Sequence, residues 1–476
     1  MAKEKTAGVL PVFGSLDDRP LTFREQMRLI IQLSIPSILA QISATVMQYI
    51  DAAMVGSLGA SATGAIGLVA STTWLFNGLS TAIATAFSVQ VAQLIGAQRQ
   101  GEAKNVLRQS LIVSLICGLL ISALGISISG SLPVWLGGNA EVMEGATSYF
   151  LVFAIAIPFN LMRLLAGSML QCSGDMRTPS ILNAAMCGLD VIFNYFLIFP
   201  THTVSLFGMD ITVWGAGMEV AGAALGTALS ETVVAIIMLY MVCLRSPALR
   251  ITDGGSWKLT ANCMRTALRI AVPIAVERGI LGAAQVTSTK ITAPLGTVAV
   301  AANSLAVTAE SLCYMPGYGV GAAATTLVGQ SMGAERRDLA KAFARSSTWL
   351  GMMVMGGAAV FVFFAAPLMF SMLTPVEEIQ TLGTQVLRIV MPAEPFFAAS
   401  IVAAGALRGA GDTLGPSLLN LVSMWGVRIS LASILAPRMG LPGVWLAMTI
   451  ELCVRGILFL ARLLRGKWLD KKLITD

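Results

Sequence analysis

The sequence predicts an all-α membrane protein in which twelve transmembrane helices form two pseudo-symmetric six-helix bundles. Three observations carry this reading. The composition is 56% hydrophobic and 12% charged, with a mean hydropathy of +0.78, whereas soluble proteins average about 25% charged residues. Apolar runs of the roughly 20 residues needed to cross about 30 Å of hydrocarbon occur twelve times. The second half of the chain repeats the first at an offset of 237 residues.

In order, the runs cover residues 30–55, 63–95, 107–136, 146–171, 178–199 and 220–244, then 267–292, 298–331, 346–372, 382–407, 416–437 and 441–463. Basic residues collect in alternate loops. One side has Lys3, Lys5, Arg19, Arg24 and Arg28, then Arg99, Lys104 and Arg108, Arg177, Arg245, Arg250 and Lys258, Arg336, Arg337 and Lys341, Arg408, and finally Arg465, Lys467, Lys471 and Lys472. The opposite loops carry Glu141, Glu144, Asp210, Glu219, Glu377 and Glu378, with Arg438 as the exception. By the positive-inside rule both termini are cytoplasmic. Met1–Arg28 is polar and charged, so no cleaved leader is expected and the first span inserts directly.

The repeat keeps one register through five spans. Pro36 falls on Pro273, Gln48 on Gln285, Leu58-Gly59 on Leu295-Gly296, Gln93 on Gln330, Gly96-Ala97 on Gly333-Ala334, Gly174-Asp175 on Gly411-Asp412 and Asn183 on Asn420. The offset then drops to about 221, because a long loop at Pro200–Val220 faces a short one at Ala436–Leu441. An even number of spans per repeat gives both halves the same orientation, related by an axis along the membrane normal. The expected division is an N-terminal lobe over 1–245, a cytoplasmic linker over 246–265 and a C-terminal lobe over 266–476, the lobes facing one another across a cleft.

Where the halves differ, function is expected. In the first span Ser34, Ser37, Gln41, Thr45, Gln48 and Asp51 fall within a roughly 120° arc, a polar stripe leading to one acid. Asp51 aligns with Ser288 and Asp190 with Val427, so both acids are peculiar to the first half. In the fifth span Asn183, Asp190 and Asn194 share a face, with Asp190 about 18 Å from the cytoplasmic end at 1.5 Å per residue. Asn160 in the fourth span is another first-half substitution, aligned with Phe397. A carboxylate at such depth costs several kcal/mol unless it meets a partner or a wet cavity. Asp51, Asp190 and the three asparagines are expected to line one polar chamber. Paired carboxylates there can take up and release a proton, and the same oxygen-rich set fits a hard cation such as Na+.

The second half carries Glu277 and Arg278, Lys290, Glu310, Glu394, Arg428 and Glu451 within its spans, and Glu231 is the comparable oddity in the sixth. Some of these must pair. Glu277, Glu310 and Glu394 are candidates to line the cleft.

The net charge of +6 does not point to nucleic acid, because Lys and Arg are spread over short loops rather than one face. The seven cysteines are scattered with no CxxC pair and read as small core residues. The single histidine, His202, sits in an expected loop. No nucleophile–base pair, HExxH or cofactor fingerprint is present, so no enzyme activity and no cofactor is expected.

These motifs resemble a family. YIDAAMVGSLGASATGAIG in the first spans, LIGAQRQGEA and VGQSMGAERRDLA after the second and eighth, and LQCSGDMRTPSILN with LRGAGDTLGPSLLN are similar to the multidrug and toxic compound extrusion (MATE) transporters. PIAVERG, GTVAVAANSLAV and YMPGYG resemble the DinF-like branch. The resemblance implies an antiporter of the bacterial inner membrane that expels amphipathic, often cationic, organic compounds in exchange for H+ or Na+ by alternating access. The expected partners are then a small-molecule substrate, the coupling ion and the bilayer, with a monomer as the working unit. Asp51 and Asp190 match the family's coupling aspartates, and Asn160 and Asn183 are similar to amides of the same lobe. Other members use acids of the seventh and tenth spans, which suggests Glu277 and Glu394 as a second ion site, although Glu277 lies about one turn nearer its helix start than that pattern. A lipid-linked oligosaccharide flippase of the same superfamily is the alternative reading.

Overall fold

A computed structural model describes residues 21–206, 209–252 and 254–471. Lys3, Lys5, Arg19 and Lys472 lie outside them. Twelve long helices follow in order: α1 Phe23–Gly56, α2 Ala60–Gly96, α3 Gln100–Ile128, α4 Ala140–Cys172, α5 Arg177–Ile198, α6 Glu219–Arg245, α7 Ala261–Thr292, α8 Thr297–Gly333, α9 Arg337–Leu373, α10 Glu377–Gly409, α11 Leu414–Met439 and α12 Leu441–Arg465. All but α7 satisfy both length and hydropathy for a membrane span. That helix carries Arg265, Arg269, Glu277, Arg278 and Lys290, of which Arg265, Arg269 and Lys290 are exposed and Glu277 is buried.

The boundaries follow local chemistry. Thr22 and Glu25 form a reciprocal capping box at the start of α1. The third expected run, 107–136, breaks after Ile128, and Leu132–Trp135 forms a separate helical turn with Pro133 inside it. Pro200–Val220, expected as a loop, contains an antiparallel hairpin, β1 Pro200–Leu206 and β2 Met209–Ala216. His202 therefore lies in a strand. The expected linker is shorter than 246–265, because α7 begins at Ala261. Gly174 and Gly411, a repeat pair, take φ of +93° and +87° at the turns after α4 and α10, where a side chain would be strained.

The first helix of each half packs at its start against the opposite half. Ile30 and Leu33 of α1 join a core built from α8, α9, α10 and α12. Cys263, Ala267, Ile270 and Ile274 of α7 join the core of α2, α3, α4 and α6. Helices α1 and α7 thus cross between the bundles, and the two six-helix bundles are stitched rather than separate. On the outside, Phe361, Phe364 and Met372 of α9 are 72%, 73% and 80% exposed, an apolar face suited to lipid.

Candidate functional site

The polar chamber forms at the crossing of α1, α5 and α6. Asp190 and Asn194 are one turn apart on α5, and both are fully buried. The Asn194 amide Nδ2 donates to Asp51 Oδ1 at 2.8 Å and to Asp190 Oδ2 at 3.0 Å. One amide therefore holds both carboxylates, and their accepting oxygens lie no further apart than those two bonds allow. Ser230 Oγ of α6 donates to the other oxygen, Asp190 Oδ1, at 3.4 Å. A Cβ on Gly226 would lie 2.0 Å from Asn194 Oδ1, so the glycine opens the space in which the amide turns its NH2 to the acids.

The other expected members are placed differently. Asn160 Nδ2 donates to Asn77 Oδ1 at 2.8 Å, and its own Oδ1 accepts from Arg163 at 2.9 Å. Arg163 also pairs with Glu231 at 3.1 Å. Asn160 thus belongs to a neighbouring chain of polar groups across α2, α4 and α6, with no direct bond to the aspartates. Gln48 is exposed on α1. Asn183 keeps Oδ1 buried without a partner. Its repeat equivalent Asn420 donates Nδ2 to Glu277 at 2.6 Å, a bond Asn183 cannot copy because the first-half equivalent of Glu277 is Ala40.

In the second half the acids fall into separate surroundings. Glu277 is enclosed by the Arg408 guanidinium at 3.2 Å, Ser417 Oγ at 2.6 Å and Asn420 Nδ2 at 2.6 Å. Arg408, grouped from sequence with the loop charges, is instead the partner of this buried acid. Glu394 opens the second stretch of α10, after a 3-10 turn at Met391–Ala393, and both of its carboxylate oxygens are buried without a hydrogen-bond partner. Glu310 of α8 lies close enough to Glu394 to interact electrostatically, with Arg428 and Arg455 also nearby. Glu451 is tied to Arg455 at 3.0 Å and to Ser423 at 2.8 Å. Among the described residues Glu277 and Glu394 share no hydrogen bond or ion pair.

Between the halves lies a cavity of about 240 Å³. First-half helices α2 and α4 form one wall, including Ser88 and Gln171, and the second half supplies the opposite wall.

Sequence reasoning missed Arg163, Asn77 and Ser230. A signal existed for the first: an arginine inside an apolar run demands an acid at similar depth, and Glu231 is the matching oddity in the sixth span. Asn77 and Ser230 carry no such signal, because neutral polar residues are tolerated in any helix that packs internally.

A family profile described as MatE matches residues 36–196 and 273–434, two stretches that start at the repeat partners Pro36 and Pro273. The chain belongs to the MatE family. As a MatE protein it is similar along nearly its whole length to the "Probable multidrug resistance protein NorM" of Thermotoga maritima, 24% identical over 452 residues and covering 94% of each chain. It is likewise 24% identical over 473 residues to the "Multidrug resistance protein MdtK" of Edwardsiella ictaluri, covering 94% of this chain and 96% of that one. The MatE fold is also found in a structure described as MATE in the straight conformation, with a TM-score of 0.84, 22% identity and coverage of 94% and 97%. A mutant of the Vibrio cholerae MATE transporter VcmN has a TM-score of 0.84, 17% identity and coverage of 94% and 99%.

Proposed function

We propose that this MatE protein is a secondary antiporter that exports amphipathic organic compounds in exchange for inward H+ or Na+. The observation that carries the reading is the Asp51–Asn194–Asp190 bridge. Two carboxylates held by one amide repel each other while both are charged, and a proton on either, or a Na+ between their oxygens, removes that repulsion. The relatives named as multidrug resistance proteins support the export direction.

Coupling to the halves runs through α1. Asp51 lies two residues after Tyr49, whose hydroxyl donates to the Thr308 carbonyl of α8. The start of the same helix is embedded in the second-half core through Ile30 and Leu33. An ion that changes how Asp51 sits against α5 therefore biases a helix gripped by both halves, which is the two-state element alternating access requires. We place the protein as a monomer in the bacterial inner membrane with both termini cytoplasmic. The relatives named as multidrug resistance proteins make the flippase reading the weaker one.

The test is efflux from proteoliposomes of a panel of dyes of both charge signs, driven by a proton gradient without sodium and then by a sodium gradient at equal pH. Drive by either gradient supports the antiporter, and the effective gradient identifies the ion. Failure of both gradients with every dye would reject it.

A further inference from the structure

The central cavity is lined by Arg278, Arg408 and Arg455 against a single carboxylate, Glu277. Glu277 is already engaged by Arg408, Ser417 and Asn420. Arg455 is held by Glu451, which is fully buried behind it, and its guanidinium lies 5.1 Å from the Phe397 ring centre. That leaves Arg278. Among the described residues it makes no hydrogen bond or ion pair; it lies near enough to Glu277 to act on that carboxylate through space, and its Nε is buried without a partner. Its aliphatic stem is fixed at the seam between the halves: a Cβ on Gly78 of α2 would lie 3.1 Å from Arg278 Cβ and Cγ.

A guanidinium in such a place is costly unless an anion meets it, and its planar fork matches a carboxylate, sulfonate or phosphate in bidentate fashion. Tyr318 and Phe397 line the same cavity and supply aromatic surface for an apolar body. An organic cation there would meet the Arg278 guanidinium and only one carboxylate, Glu277, which Arg408 already pairs. The acids that would attract it, Asp51 and Asp190, are absent from the cavity lining. The volume of about 240 Å³ lies just below the roughly 300–1,000 Å³ of small-molecule sites and suits an acid head with one or two rings.

We propose that the cavity between the halves selects amphipathic organic anions, with the acid group docked on Arg278 and the apolar body against Tyr318 and Phe397. This rests on the antiporter reading and names its substrate class. Outward movement of an anion in exchange for an inward cation carries charge in one electrical sense, so an inside-negative potential accelerates it.

The test uses the full chain and two probes with the same two-ring aromatic body, 1-naphthalenebutyrate and a naphthylbutyl-trimethylammonium salt. Binding is measured in phosphatidylcholine nanodiscs, and gradient-driven efflux in proteoliposomes. Naphthalenebutyrate is expected to bind at least tenfold more tightly than the ammonium probe. Arg278→Gln should weaken it at least tenfold, and Arg278→Lys, which keeps the charge but loses the bidentate fork, should fall between the parent and the glutamine variant, with folding of both checked by thermal unfolding. Preference for the ammonium probe, binding of neither, or an Arg278→Gln protein that is folded and binds naphthalenebutyrate normally would overturn the proposal. An Arg278→Gln protein that keeps naphthalenebutyrate binding but loses co-purified phospholipid would also overturn it, assigning Arg278 to a lipid phosphate. Efflux of the ammonium probe alone would reject the anion selection but leave the antiporter standing, whereas failure of every dye under both gradients would remove the antiporter itself.

Discussion

Gln93 and Gln330 stand 237 residues apart and make the same hydrogen bond in opposite directions across the seam between the halves. Gln93 Nε2 donates to the Gly409 carbonyl at 3.0 Å, and Gln330 Nε2 donates to the Cys172 carbonyl at 2.8 Å. The two acceptors are themselves 237 residues apart. Beside them, a Cβ on Gly96 would lie 2.0 Å from the Gln330 carbonyl oxygen, and one on Gly333 would lie 1.8 Å from that of Gln93. The ends of α2 and α8 are thus in backbone contact at a seal that obeys the two-fold symmetry of the repeat. The cavity adjoins this seal, since Cys172 lines it.

The seal can be weakened symmetrically. Each glutamine contributes about 1 kcal/mol as a net hydrogen bond, so Gln93→Ala with Gln330→Ala shifts the closed arrangement by about 2 kcal/mol, roughly thirtyfold in population. The measurement is the alkylation rate of Cys172 in a chain whose other cysteines are replaced. At least a tenfold rise is expected, and an unchanged rate would mean the amides do not hold the seal.

The chamber depends on a residue that never touches an ion. Gly226→Val places side-chain atoms where Asn194 Oδ1 sits and drives the amide off the two aspartates. Gradient-driven efflux should fall at least tenfold, to the level of Asn194→Ala. Full activity in the valine variant would separate Asn194 from coupling.

Glu277 and Arg408 should behave as a buried pair. Removing one partner by Arg408→Ala leaves an unbalanced carboxylate and costs about 3–5 kcal/mol, read as a lower Tm in detergent. The double variant Glu277→Met with Arg408→Met should be more stable than the single Arg408→Ala. A double variant as unstable as the single one would show that packing, not charge, sets the loss.

Much of this was legible in the sequence. The twelve spans and the repeat register emerge from hydropathy and from identical residues at a fixed offset, because membrane helices must satisfy their backbone internally and so leave long apolar runs. The Asp51, Asp190 and Asn194 cluster was legible too, since the first two break the repeat and the third shares a helix face with Asp190. What was not legible depends on which helices touch. Asn160 and Asn183 look equivalent to Asn194 in sequence, yet Asn160 turns to Arg163 and Asn183 has Ala40 where its repeat partner has Glu277. The helical start at Ala261 was hidden because linker and helix are equally polar there. The crossing of α1 and α7 between the bundles leaves no mark on hydropathy.

Glu394 tests the second-half acids. Both of its oxygens are buried without a partner, so Glu394→Gln removes an unsatisfied carboxyl while keeping its shape. The Tm should hold or rise, and a loss of about 1 kcal/mol, about one degree for a protein of this size, would show that the carboxylate is engaged. If Na+ raises the Tm of the parent protein but not of the variant, Glu394 is a sodium ligand.

The most direct test of the coupling assignment compares the parent protein with Asp51→Asn in proteoliposomes, under whichever gradient drives efflux. Asparagine keeps the size of the side chain and its place on α1 but can neither take up a proton nor bring charge to a cation. Efflux under the gradient should be abolished while the protein unfolds at a similar temperature and still binds substrate. Gradient-driven efflux at the parent rate in Asp51→Asn would contradict the account.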